Sequence, residues 1–212
     1  LFSPNHVPGL YEAFGMPEFD DMYLKYEKDK SIPKQTIGAQ ELFQALLKER
    51  AETGRIYIMN LDHCNTHSSF KDKVYMSNLC QEITLPTTPV QHIDDKEGEI
   101  ALCILSAVNL GLLTDMEELE ELCDLSVRAL DEIIDYQEYP VEAAKISAQS
   151  RRSLGIGYIG LAHYLAKNQV KYEDKKAWKL VDKITEAFQF YLLKASNNLA
   201  KEKTKCLWFE KT

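Results

Sequence analysis

The sequence has no apolar stretch approaching the roughly 20 residues needed to cross a bilayer, and Leu1-Phe2-Ser3-Pro4-Asn5-His6 carries neither the basic nor the apolar part of a secretion signal. No membrane partner is expected, and a cytoplasmic location follows as the expectation. Cysteine is scarce: five residues (Cys64, Cys80, Cys103, Cys123, Cys206), odd in number and without a CxxC pair, which argues against both a secreted disulfide framework and a structural zinc site. Positive charge is also short. Against 33 acidic residues stand 25 Lys and Arg, giving a net charge of -8, and the basic residues are interleaved with acids. A general nucleic-acid surface needs clustered cations, so no nucleic-acid partner is expected. No internal repeat or low-complexity linker is present.

What is there is the composition of a globular protein, 212 residues with 45% hydrophobic, enough for one ordinary core. Residues 1–36 are rich in Pro, Gly and aromatics and predict turns and short helical pieces. Residues 39–53 carry Leu42, Phe43, Leu46 and Leu47 at helical spacing, with Gly54 as the stop. Strands are predicted at 55–61 from its alternation, at 81–85 before Pro86, and at 100–105, where a continuous apolar run suggests burial on both faces.

Helical pattern then dominates. A capping box, Thr114 with Glu117, predicts a helix whose stripe is Met116, Leu119, Leu122, Leu130, Ile133 and Ile134, closed by Pro140. A glycine-interrupted helix is expected over 153–167. A long amphipathic helix is expected over 174–202, with Trp178, Val181, Ile184, Phe188, Leu192 and Leu199 inward. The pattern is α/β and helix-rich, and nothing in it marks an internal domain boundary.

The segment richest in chemistry is Ser77-Asn78-Leu79-Cys80-Gln81-Glu82-Ile83. Spacing by two puts Asn78, Cys80 and Glu82 on one face if the chain is extended, about 6 to 7 Å apart along it, matched to a ligand the size of a sugar ring. The three offer an amide that donates and accepts, a thiol, and a carboxylate able to act as a base. The plain alternative is a loop leading into a strand, with Cys80 packed as a small hydrophobe and Glu82 in water.

Asn78-Leu79-Cys80-Gln81-Glu82 resembles the active-site loop of the class I ribonucleotide reductase large subunit. The similarity runs along essentially the whole chain, through Leu1-Phe2-Ser3-Pro4, Thr53-Gly54-Arg55-Ile56-Tyr57-Ile58, Asp62-His63-Cys64-Asn65-Thr66-His67-Ser68, Ile100-Ala101-Leu102-Cys103, Arg151-Arg152-Ser153-Leu154-Gly155-Ile156-Gly157 and Tyr191-Leu192-Leu193-Lys194-Ala195-Ser196. The resemblance implies that residues 1–212 are the central part of a catalytic domain, about half of a ten-stranded α/β barrel with a finger loop inside it. It also implies the roles. Cys80 becomes a transient thiyl radical that abstracts the 3'-hydrogen of a ribonucleoside diphosphate, Glu82 takes the 3'-hydroxyl proton, and Asn78, with Leu79 and Cys80 beside it, binds the ribose. Cys103 matches one member of the reducing cysteine pair. Sulfur suits both thiol positions because it can carry an unpaired electron and form a disulfide reversibly.

Several parts of the family pattern are not found: a nucleotide-binding cone and effector region before residue 1, a cysteine upstream to pair with Cys103, and, after Thr212, a phosphate-binding segment, a radical-relaying tyrosine pair and a cysteine pair. A chain starting at Leu1 is therefore expected to be part of a longer one. No cofactor is expected to bind this chain directly. The implied partners are the remainder of the large subunit, a small metal-containing subunit that supplies the radical, and a thioredoxin or glutaredoxin, with effector nucleotides bound elsewhere. Unpaired strand edges are expected to leave the isolated chain poorly stable.

Two other classes compete. The first is a split or degenerate piece serving as a non-catalytic binding or assembly module. The second, a nicotinamide oxidoreductase, rests on Gly155-Ile156-Gly157-Tyr158-Ile159-Gly160, but the polar residues before this motif are not a strand, and packing of a helix through small residues explains it better. His63, Cys64 and His67 have no second ligand cluster at zinc spacing, so no metal is expected there. The acidic run 117–121 is expected to be a solvated helix face.

Overall fold

A computed structural model describes all residues, 1–212. The chain divides into two compact units, one of residues 1–87 with Thr212 and one of residues 88–211. The architecture is helix-rich α/β, with seven α-helices and one small sheet. No helix is long and apolar enough to cross a membrane.

In the first unit, the aromatic lead-in packs on itself. Phe2 and Phe19 both contact Tyr23, with ring centroids 5.2 and 5.9 Å away, and Phe14 meets Phe19 edge-on at 5.2 Å. Helix α1 (Phe19–Lys28) ends where Lys34 Nζ donates to the carbonyls of Tyr26, Glu27 and Asp29, supplying charge to open helix-end acceptors. Helix α2 (Ala39–Thr53) stops at Gly54 as the sequence predicts, because Gly54 takes φ +67°, which costs a residue without Cβ least. Yet α2 buries no residue, and Phe43 is 60% exposed. The strand predicted at 55–61 does not form: residues 55–60 are unpaired coil, and Leu61 begins the short helix α3 (Leu61–Thr66). Alternation alone cannot make a strand without a partner ladder.

The second unit is built on two parallel strands, β1 (Leu105–Asn109) and β2 (Gly155–Ile159), paired in register from Leu105 opposite Gly155 to Asn109 opposite Ile159. The strand expected over 100–105 therefore starts five residues later. It is buried on one face only: Val108 is 5% exposed, whereas Leu105 is 51% exposed. The expected glycine-interrupted helix over 153–167 is instead β2 followed by α6 (Leu161–Lys167). The reason is a distant strand partner. A Cβ at Gly155 would strike the side chain of Leu105, so glycine lets the two strands lie side by side. Gly155 and Gly157 thus lie inside a strand, and no phosphate-cradling loop is left between strand and helix, which removes the dinucleotide reading.

Helix α4 (Glu117–Tyr136) packs along α7 (Lys175–Glu202), which matches the long helix expected from the sequence. The cap differs by one residue from the predicted box. Asp115 Oδ1 accepts from the amides of Glu117 and Glu118 at 2.8 and 3.0 Å, while Glu118, not Glu117, reaches back to Thr114. The buried stripe is Leu119, Cys123, Val127, Leu130 and Ile134, leaving Leu122 and Ile133 half-exposed. Ile184 and Phe188 of α7 close this core against Val108 and Leu110. Trp178, expected inward, is 62% exposed, and Ala177 takes the buried position. Glu117, Glu120 and Glu121 are exposed, as a solvated face requires.

Around this core runs a charged lattice. Arg128 holds Glu202 at 2.7 and 2.8 Å and Asp124 at 2.8 Å, Lys194 holds Glu120 at 2.5 Å, and Lys203 reaches Asp131 at 2.9 Å. Arg152, which ends α5 (Glu142–Arg151) at φ +51°, bridges Asp131 and Asp135.

Candidate active site

In the first unit, Asn65 of α3 anchors the approach to the Ser77–Ile83 loop. Its side chain accepts from Val74 N at 2.8 Å and donates to the carbonyls of Val74 and Leu61, both at 2.9 Å, so it satisfies Val74 as a strand neighbour would. Val74 itself is fully buried. On the same stretch, Lys73 donates to Glu12 O at 2.6 Å, and Tyr75 stacks on Tyr11 with 5.6 Å between ring centroids.

The loop beyond is a turn, not the expected extended run. Gln81 N donates to Asn78 O at 3.2 Å, and Gln81 takes φ +62°, a left-handed conformation that reverses the chain. The neck is closed by side chains. Ser77 Oγ donates to Ile83 O at 2.7 Å, and Ile83 N donates to Asn78 Oδ1 at 3.1 Å. With both backbone groups of Ile83 satisfied from residues 77 and 78, no sheet partner is needed, and the strand predicted at 81–85 does not form. Asn78, Cys80 and Glu82 therefore lie within one closed turn and not on a shared strand face.

Asn78 is half-buried at the neck, while Leu79, 82% exposed, Cys80 and Glu82 are all turned to solvent. The plain reading of Cys80 as a packed hydrophobe does not hold. Cys80 is an accessible thiol two residues from Glu82 and two from Asn78, whose amide oxygen is already engaged.

Cys103 belongs to the second unit, just ahead of β1, and it too is exposed and unpaired, with no other cysteine bonded to it. It is not the buried thiol that its apolar surroundings predict. Cys123 is that thiol: fully buried in α4, with burial, and then the nearby Glu120 charge, pushing it up to about 11. His63 of α3 and His67, which caps the C-terminus of that helix, have ring centroids 6.2 Å apart, with His67 Nδ1 at 3.1 Å from the His63 carbonyl.

The family model for the ribonucleotide reductase barrel domain matches residues 1–212, the whole chain. The chain belongs to the ribonucleotide reductase barrel-domain family. It is 58% identical over 217 residues to the ribonucleoside-diphosphate reductase subunit alpha of Buchnera aphidicola from Schizaphis graminum, covering 100% of this chain and 28% of that protein. It is 57% identical to the ribonucleoside-diphosphate reductase 1 subunit alpha of Escherichia coli K12, with the same coverage. The subunit alpha of Enterobacteria phage T4 is 42% identical over 96% of this chain and 27% of its own length. The chain thus spans about 28% of the length of the Buchnera and E. coli relatives.

Two features of this barrel-domain family member have structural roles that the sequence reading did not assign: Asn65, and the hydroxyl of Ser77. Their signal was the side-chain type, since Asn and Ser are the residues that bond to nearby backbone in turns.

Proposed function

We propose that this chain is the central part of a catalytic barrel domain that reduces ribonucleoside diphosphates to deoxyribonucleoside diphosphates, with β1 and β2 as two of the barrel's ten strands. Cys80, as a thiyl radical, takes the hydrogen from C3' of the ribose, leaving a carbon radical and a Cys80 thiol. Glu82 takes the proton of the 3'-hydroxyl, and Asn78 and Leu79 help hold the sugar. The 2'-hydroxyl leaves as water. A dithiol that includes Cys103 supplies two electrons and two protons and becomes a disulfide, after which Cys80 returns its hydrogen to C3'. The net change is ribonucleotide plus dithiol to deoxyribonucleotide plus disulfide plus water.

The radical comes from a small metal-containing subunit, effector nucleotides bind elsewhere in the large subunit, and a thioredoxin or glutaredoxin restores the dithiol, all in the cytoplasm. The observation that carries this reading is the closed turn that holds Cys80 exposed between Asn78 and Glu82, in a chain that matches the family from end to end.

The test is a chimera in which residues 1–212 replace the matching stretch of the E. coli relative, assayed with that protein's small subunit. Reduction of cytidine diphosphate by the chimera, abolished by Cys80→Ser and lowered about a hundredfold or more by Glu82→Gln, supports the reading. An active Cys80→Ser chimera would sink it. The second reading, a non-catalytic assembly module, is favoured by the apolar residues that α2 leaves unburied, and an inactive but correctly assembled chimera would support it.

A further inference from the structure

The Asn78 amide has a fixed orientation, and the network around it shows which way. Ile83 N–H can only donate, so the Asn78 atom 3.1 Å from it must be the oxygen; a flipped amide would set two donors against each other. Ser77 closes the same neck. Its hydroxyl donates to Ile83 O at 2.7 Å, with a longer second arm of 3.2 Å to Asn78 Oδ1. The oxygen is thereby held against the neck of the turn, and the amide NH2 is the part left to face a ligand.

We propose that Ser77 is a positioning residue for Asn78: by closing the loop neck it makes Asn78 a hydrogen-bond donor, selecting a ligand oxygen that accepts, such as a ribose hydroxyl. This rests on the reading of the Asn78 to Glu82 turn as the active site. Without the hydroxyl, Ile83 O loses its partner and Asn78 Oδ1 loses one of two donors, so the turn gains freedom where a reacting sugar must be held to within a fraction of an ångström. Orientation of this kind acts on turnover more than on ground-state binding.

The experiment uses the full-length chimera with its small subunit and cytidine diphosphate as the probe, comparing Ser77→Ala, Ser77→Gly, Ser77→Thr and Cys80→Ser. Two variants remove the hydroxyl, so a packing defect in one alone does not decide the outcome. The expected result is a ten- to hundredfold loss of kcat in both Ser77→Ala and Ser77→Gly, with KM within about threefold, and kcat within about threefold of the parent in Ser77→Thr. Parent-like kcat in Ser77→Ala, or an equal loss in Ser77→Thr and Ser77→Ala, overturns the role of the hydroxyl while an inactive Cys80→Ser leaves the site standing. An active Cys80→Ser removes the site, and this proposal with it.

Discussion

Glu99 and Arg151, 52 positions apart, meet as a bidentate ion pair whose side chains are 5% and 2% exposed. Ser147 adds a hydrogen bond of 3.2 Å to the same carboxylate, and the guanidinium lies 5.0 Å from the Trp208 ring centroid. Glu99 is itself fixed by a backbone bridge to Thr88. One pair therefore ties the segment before β1, helix α5 and the end of the chain together.

Breaking that pair from one side leaves a buried charge alone. Arg151→Ala is expected to cost about 3 to 5 kcal/mol, whereas the double change Arg151→Met with Glu99→Leu should cost much less, because it removes both charges. Urea unfolding of the three proteins measures this, and equal losses in single and double variants would refute it.

Glycine substitutions should separate strain from collision. Gly54→Ala places a Cβ in open space at φ +67°, so about 1 kcal/mol is expected. Gly160→Ala meets φ +75° and also the Asn109 side chain and the Gly111 amide, so more than about 2 kcal/mol is expected. Thermal melts of the two variants should rank in that order.

Acid stability is expected to depend on the Arg152 lattice. Burial raises the Asp131 carboxyl, but hydrogen bonds from Arg152 and Lys203 outweigh it and hold the group below its usual range; Arg152 likewise lowers Asp135. A folded value below the unfolded one, about 3.9, contributes stability that is complete above that pH and lost as pH falls through the depressed value. Arg152→Ala should raise the acid-unfolding midpoint followed by circular dichroism. An unchanged midpoint would show that the lattice adds nothing.

Thiol labelling should divide the cysteines by environment. In the native chain at pH 8, Cys80 and Cys103 are exposed and should react fast, while Cys123, buried and pushed up to about 11, should react only as the helix opens. Mass spectrometry of a timed labelling series reads the order, and early labelling of Cys123 would contradict the packing of α4.

Helices α2, α4 and α7 were legible in the sequence because their causes are local. The Gly54 stop and the periodic stripe of α7 lie within a few residues of what they control. The strands were not, because a strand exists only where a distant segment pairs with it. The alternating run at 55–61 found no ladder, while β2 hid behind glycines that depress strand propensity but let Leu105 pass. The candidate site was legible as residue types, Asn78, Cys80 and Glu82. Its shape was not, since Gln81 turning to positive φ, and Ser77 and Asn78 reaching to Ile83, are chosen by the closed loop and not by spacing.

The meeting of Asn109 with Gly160 at the ends of β1 and β2 has a mechanical meaning. Asn109 Oδ1 also accepts from Gly111 N at 3.1 Å, so its side chain is held in place and fills the space that a Cβ on residue 160 would need. Sliding β2 by one position would bring Ile159 or Leu161 to that spot, and neither fits. The two strands are joined like a key in its slot, and a pairing that most sheets must hold by hydrophobic pattern is enforced here by volume.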